Sequence, residues 1–213
     1  MNRIIIRKTQ SKAFIVIFSL ILLSGMFLQA CSTPAPYLVP KQEDDSKGKV
    51  SENNRVDIQI KPIYTSGFES DEQNIYHFDF SQFFTAVEVR IHNSAKNPIQ
   101  WDPFQSILRD GTEKEYKTFN EDAAIDYYEH GDIPSNSIVL LEKPYEQQKE
   151  DIESIKRFIV KPVSLLPDQE VKGLLLFKKV SLLHCDNVLL VVAGIKINDQ
   201  EKRVSFPLEC PKD

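Results

Sequence analysis

The chain is short of the residues from which common active sites are built. Its 213 residues include 7 glycines, 4 histidines, 3 cysteines, 2 methionines and 1 tryptophan. Seven scattered glycines do not assemble a Gly-rich phosphate loop, which needs several within one turn so that backbone N–H groups can approach the anion. There is no Gly-x-Ser-x-Gly elbow and no His-Glu-x-x-His helix, so two common frameworks for nucleophilic and zinc chemistry are missing. His77, His92, His130 and His184 share no spacing, whereas a metal site needs clustered ligands. No metal and no other cofactor is expected.

Positive charge is scarce as well. There are 26 Lys and Arg against 31 Asp and Glu, a formal net charge of −5. Four of the basic residues, Arg3, Arg7, Lys8 and Lys12, fall in residues 1–30, which hold no acid. The rest of the chain therefore carries 22 basic and 31 acidic side chains, a net −9. Such a body lacks the basic face of a nucleic-acid-binding protein. With 27% charged and 10% aromatic residues it is globular rather than disordered.

What is present begins at the N-terminus. After the four cations comes an uncharged apolar run, Ala13 to Ala30. A positive end, an apolar stretch and a small residue before a cut make a secretory signal. Eighteen apolar residues are also just enough to span a bilayer uncleaved. Leu28-Gln29-Ala30-Cys31 resembles the lipobox of bacterial lipoproteins. That resemblance implies a signal peptide over 1–30, removal of the segment, and acylation of Cys31. Two or more acyl chains give stable membrane anchoring, at about 0.8 kcal/mol per buried CH₂. Ser32, rather than Asp, follows the cysteine, which in a Gram-negative cell resembles the pattern of outer-membrane lipoproteins. The expected location is an exported, membrane-anchored one.

Residues 31–54 read as a lipid-anchored tether. Pro34, Pro36 and Pro40 and the polar run Lys41 to Lys49 offer little to bury, so a disordered spacer is expected. At about 3 Å per residue it would lift the domain several tens of Å from the lipid.

Residues 55–213 read as one domain. Arg55 to Tyr64 and Thr85 to Ile91 alternate apolar and polar residues, the period of half-buried strands. Pro62 places the first near an edge or its end. Ile99 to Leu108 follows as a strand broken by Pro103. Asp110-Gly111 turns it into a return over Glu113 to Phe119. Further strands are Val171 to Lys178, Val188 to Ile197 and Arg203 to Leu208. Leu189 to Ala193 is apolar on both faces and is expected at the centre of a sheet. Two segments have helical spacing instead, Glu121 to His130 and Tyr145 to Phe158, the second carrying an Ile152, Ile155, Phe158, Ile159 stripe. Short strands at regular spacing predict a mainly β protein, an immunoglobulin-like β-sandwich with one or two inserted helices.

The strand Val87-Glu88-Val89-Arg90-Ile91-His92-Asn93-Ser94, then Pro98-Ile99 and Ser106-Ile107-Leu108-Arg109-Asp110-Gly111, is similar to the immunoglobulin-like, telokin-like domains of bacterial envelope lipoproteins. Leu166-Pro167-Asp168-Gln169-Glu170 leading to Gly173-Leu174-Leu175-Leu176-Phe177 is similar to a second strand of that group. The resemblance covers about half of the body and implies a fold. It carries no functional residues, and residues 121–163 lie outside it.

With Cys31 assigned to lipid, Cys185 and Cys210 remain, an even pair in an oxidising compartment, and a disulfide is expected. Centring the last hairpin between Asp199 and Gln200 puts position 210 opposite 189. The pair therefore needs a fold-back or a bulge to meet.

The aromatic group Tyr76, Phe78, Phe80, Phe83 and Phe84 is the most unusual local feature. Tyr76, Phe78 and Phe80 would share one strand face, as core or as an exposed partner-binding patch. Trp101, beside Asp102-Pro103, is a second anchor for a partner. The acidic pairs Asp71-Glu72 and Glu121-Asp122 lack a calcium-ligand series. The expected function is a lipid-anchored, non-catalytic binding or structural module, held to the membrane through Cys31 and meeting a protein partner in the envelope. Two alternatives are an accessory subunit of an envelope complex, and an enzyme or small-ligand carrier with its site in the 121–163 insertion.

Overall fold

The computed structural model describes residues 35–50, 56–64, 78–131 and 143–211. The signal segment, Cys31, Tyr76, His77 and Asp71-Glu72 lie outside them. No helix among the described residues is long and apolar enough to cross a membrane.

Among the described residues, eleven strands and two α-helices follow in order. The strands are β1 (Val39–Pro40), β2 (Lys47–Val50), β3 (Val56–Ile63), β4 (Phe84–Asn93), β5 (Ile99–Trp101), β6 (Ile107–Arg109) and β7 (Glu115–Lys117). Helices α1 (Glu121–His130) and α2 (Tyr145–Phe158) come next, then β8 (Val163–Leu165), β9 (Glu170–Lys178), β10 (Val188–Ile197) and β11 (Gln200–Glu209). One sheet runs β1-β11-β10-β5-β8, with β6 also beside β10 and β7 beside β6. The second runs β2-β3-β4-β9. All pairings between named strands are antiparallel. The fold is mainly β, an immunoglobulin-like sandwich with two inserted helices.

Alternation along the strands builds the core between the sheets. Ile58 and Ile60 of β3, Val87, Val89 and Ile91 of β4, and Leu175 and Phe177 of β9 meet Leu190, Val192, Ile195 and Phe206 from the other sheet. Each such side chain contributes about 1.5–3 kcal/mol when fully buried. Pro62 stands opposite Val87 of β4, beyond Gln59 where the pairing of β3 with β2 stops, and one residue from the end of β3. The central position expected for Leu189 to Ala193 is observed, because β10 takes β11 on one side and both β5 and β6 on the other.

The opposite face of β4 and β9 explains the aromatic run. Phe84 and Ala86 of β4 and Leu174 and Leu176 of β9 point away from the sandwich, into a second core with Phe78, Phe80, Phe83, Ala124, Tyr128, Ile155 and Ile159. The two helices cover this half of the sheet; of the stripe expected on α2, Ile155 and Ile159 are buried and Ile152 and Phe158 partly buried, while Asp151 is buried beside them. Asn120 caps α1, its side chain accepting from the Ala123 N–H. Glu121 and Asp122 lie in the first turn of α1, where carboxylates complement the helix dipole.

Four expectations are corrected. Residues 35–50 are not a spacer: β1 pairs with Glu209 and Leu208 of β11, β2 pairs with Val56 to Gln59, and Ala35, Leu38 and Val50 are buried. The folded body thus begins by Ala35, not Arg55. Phe78 and Phe80 do not share a strand face, because Phe80–Gln82 is a 3-10 turn opened by the Asp79 cap. The last hairpin is centred one residue earlier than expected, with Ile197 opposite Gln200 and both Asn198 and Asp199 at positive φ. Trp101 is not presented as an anchor for a partner but ends β5 inside the core.

Candidate functional site

The residues singled out for partner binding are core residues. Phe78 and Phe80 are buried among rings, with centroids 4.6 Å apart and Tyr128 5.9 Å from Phe78. Trp101 is 1% exposed, and its indole N–H donates to the Ala193 carbonyl at 3.1 Å. The acceptor is freed by the bulge between Val192 and Ile195, where Gly194 sits at φ +74°. None of these side chains is available to a partner. Tyr76 and Cys31 are outside the described residues.

Cys185 and Cys210 are bridged, with Cα atoms 5.5 Å apart. Both devices that the pair required are used. The bulge in β10 shifts the register, and the 3-10 turn Leu182–His184 brings Cys185 back. The Cys210 N–H then donates to the Cys185 carbonyl at 3.0 Å.

Polar groups converge instead on the half of the second sheet that the helices leave open. There the register stacks Lys49, Asp57, His92 and Glu170 in one cross-strand row, and Lys47, Gln59, Arg90 and Lys172 in the next. All of these except Lys172 line a shallow groove of about 380 Å³. Arg90 pairs with Glu170 at 2.8 Å and Lys172 with Glu88 at 3.1 Å. Exposed pairs of this kind contribute up to about 1 kcal/mol each. Lys47 and Lys49 form no ion pair with the described residues.

Asp57 and His92 of the groove are in contact with Ser94, but in an order unlike that of a nucleophilic triad. The Ser94 hydroxyl donates to Asp57 at 2.9 Å, and His92 Nδ1 lies 2.8 Å from the same hydroxyl oxygen. A serine has one proton to give. With that proton on Asp57, His92 Nδ1 must be the donor to Ser94. In this arrangement the serine proton is directed at the carboxylate and not at the imidazole, the reverse of the order that activates a nucleophile.

Two buried carboxylates are tied to internal donors. Burial alone would raise the Asp110 carboxyl, but donation from Thr112 Oγ1, Tyr116 Oη, and the Thr112 and Lys114 N–H groups outweighs it and lowers it to about 2. Tyr116 is pushed up to about 12 by its own burial and by the Asp110 bond. Asp151 accepts from Tyr128 Oη at 2.6 Å and pairs with Lys143 Nζ at 2.6 Å. That ammonium also lies over the rings of Phe83, at 5.2 Å, and Phe78, at 5.8 Å. The described interior of the 121–163 insertion is thus filled by rings and this polar triad.

A wider groove of about 530 Å³ runs between β7 and α1. Its carboxylate, Glu115, is bonded to Arg109 at 2.7 Å, and its other charged lining groups are Lys114, Lys117 and Lys178. His130 pairs with Asp126 on the exposed side of α1. The remaining histidine within the described residues, His184, closes a turn rather than a cluster. No group of three metal-ligating residues occurs among the described residues.

No family model matches the chain, and no curated protein matches it. Two solved structures are similar to it. The YjhA protein of Bacillus subtilis has a TM-score of 0.39 and 12% identity, covering 75% of this chain and 96% of its own. A functionally unknown protein of Listeria monocytogenes EGD-e has a TM-score of 0.37 and 13% identity, covering 85% of this chain and 92% of its own.

Proposed function

We propose that the protein is a lipid-anchored envelope lipoprotein whose telokin-like, immunoglobulin-like sandwich works as a non-catalytic binding module. The observation that supports this most is the open face of the second sheet. Its charges are fixed by strand register, lie in a shallow groove, and include Lys47 and Lys49, which form no ion pair among the described residues. Such a face suits a polar or acidic protein surface, with charge complementarity setting register and on-rate. The partner is another envelope protein, and the module acts as an accessory subunit where that partner is permanent. The enzyme or carrier reading has less support, since the described part of the insertion is packed with Phe78, Phe80, Phe83 and Tyr128. A photo-crosslinking residue at Gln59, exposed on the open face, tests the reading against one at Lys117 on the other sheet. A single adduct mass from Gln59 alone in intact cells is expected. Equal adducts from both positions, or none from Gln59, would contradict it.

A further inference from the structure

The lipoprotein reading makes a geometric demand once the fold is known. Ala35 is buried and its N–H donates to the Ser81 carbonyl at 2.6 Å. Leu38 is in the main core, and Val39 and Pro40 are paired to β11. The first fixed point among the described residues is therefore four residues from Cys31. Four residues reach at most about 14 Å when fully extended. An acyl group on Cys31 cannot hold this domain several tens of Å from the lipid.

The topology says which part of the domain must face the bilayer. Ser81 precedes the start of β4, which pairs with the end of β9 through Phe84 and Lys178 and with the end of β3 through Ala86 and Ile63. The same end holds the start of β10 and the end of β11, paired through Val188 and Leu208. Four of the large apolar side chains that the fold leaves exposed are on chain segments at this end. They are Tyr37 (46% exposed), Tyr64 (36%), Leu182 (57%) and Leu183 (85%). Tyr37 and Tyr64 touch, with ring centroids 5.2 Å apart. Leu182 and Leu183 sit in the turn that carries the chain from β9 to β10.

We propose that this end of the sandwich lies on the bilayer surface, with Tyr37, Tyr64, Leu182 and Leu183 reaching the interfacial region. The inference rests on acylation of Cys31. Tyrosine suits that depth because its ring is apolar and its hydroxyl stays wet. Charges nearby are mixed, with Lys41, Lys178 and Lys179 against Asp79, Asp186 and Glu209, so apolar contact rather than headgroup attraction holds the orientation. The acyl anchor makes that contact intramolecular, and a small patch is then enough. The opposite end, with the Asn198-Asp199 turn and Leu166, points away from the lipid, as does the open half of the second sheet.

The test uses the full-length protein, expressed and processed in cells, purified from membranes and reconstituted in phosphatidylcholine vesicles containing brominated lipid. Leu183→Trp and Leu166→Trp place a fluorophore at exposed apolar positions on opposite ends, over the constant signal of buried Trp101. The Leu183→Trp emission is expected to be quenched about twofold, as an interfacial side chain would be, while Leu166→Trp matches the wild type. Equal quenching of both, or of neither, overturns the orientation. The mass of the N-terminal peptide is read on the same samples. An acylated peptide without selective quenching overturns the orientation alone, and an unacylated peptide overturns the anchor on which it rests.

Discussion

Tyr128 Oη donates to Asp151 Oδ2 at 2.6 Å, and this bond joins α1 to α2 beneath their shared aromatic core. Asp151 accepts from Lys143 as well, so its removal strands a buried phenol and a partly buried ammonium at once. Asp151→Ala is expected to lower unfolding free energy by about 3–5 kcal/mol, the cost of breaking a buried pair by one partner. Tyr128→Phe removes one bond to a charged acceptor and should cost about 1.5–3 kcal/mol. Urea denaturation of both variants checks the order. Equal, near-zero losses would show that the triad is not structural.

The Asp110 carboxyl predicts an acid limb in stability. Its folded value, about 2, lies below its ordinary 3.8. The contribution is therefore present above pH 3.8 and is lost as pH falls towards 2. It amounts to about 1–2 kcal/mol, from 1.36 kcal/mol per unit with allowance for solvent screening. Asp110→Asn should show that deficit at pH 6 and converge on the wild type near pH 2. A deficit that does not change with pH would mean that the carboxylate charge plays no part.

Burial pushes Tyr128 up, as the Asp151 bond also does, and Tyr116 is raised to about 12. Folding therefore favours the protonated phenols, and stability should fall as pH rises above about 10. Ultraviolet titration of native and unfolded protein checks this. Identical tyrosine titration in the two states would contradict it.

The Cys185–Cys210 bridge closes a loop with a sequence separation of 25. In the chain-entropy model it contributes about 3.5 kcal/mol. Replacing both cysteines by alanine should lower the denaturation midpoint accordingly. Thiol counting on delipidated, oxidised protein should find no free thiol at either position.

Gly194 predicts a local failure. Its φ is +74°, and an added Cβ would come within 2.3 Å of the Asp102 carbonyl oxygen. Gly194→Ala must move the bulge that offers Ala193 to Trp101. A loss above about 2 kcal/mol and a shift in tryptophan emission are expected.

Periodic segments were legible in the sequence, and non-periodic ones were not. Helices at Glu121–His130 and Tyr145–Phe158, and the strand Val188–Ile197, match their sequence bounds because one stripe or run of apolar residues defines each. Strand β2 carries no such signal. Of its two inward positions only Val50 is apolar; the other is Gly48, where an added Cβ would lie 2.6 Å from Val204 and 2.8 Å from Phe206. Close approach of β11 requires glycine there, so Lys47-Gly48-Lys49 reads as a polar spacer. Phe78 and Phe80 were misplaced because period two describes a strand, whereas rings packing on one another stabilise a 3-10 turn. The groove was invisible because Lys49, Asp57, His92 and Glu170 meet only through the register of four strands.

Membrane anchoring and the orientation of the domain both depend on Cys31. Metabolic labelling with a fatty-acid probe tests it directly, comparing the wild type with Cys31→Ala. The account predicts a labelled, membrane-associated wild type and an unlabelled variant. A variant labelled as strongly as the wild type, or a wild type that takes no label, would contradict it.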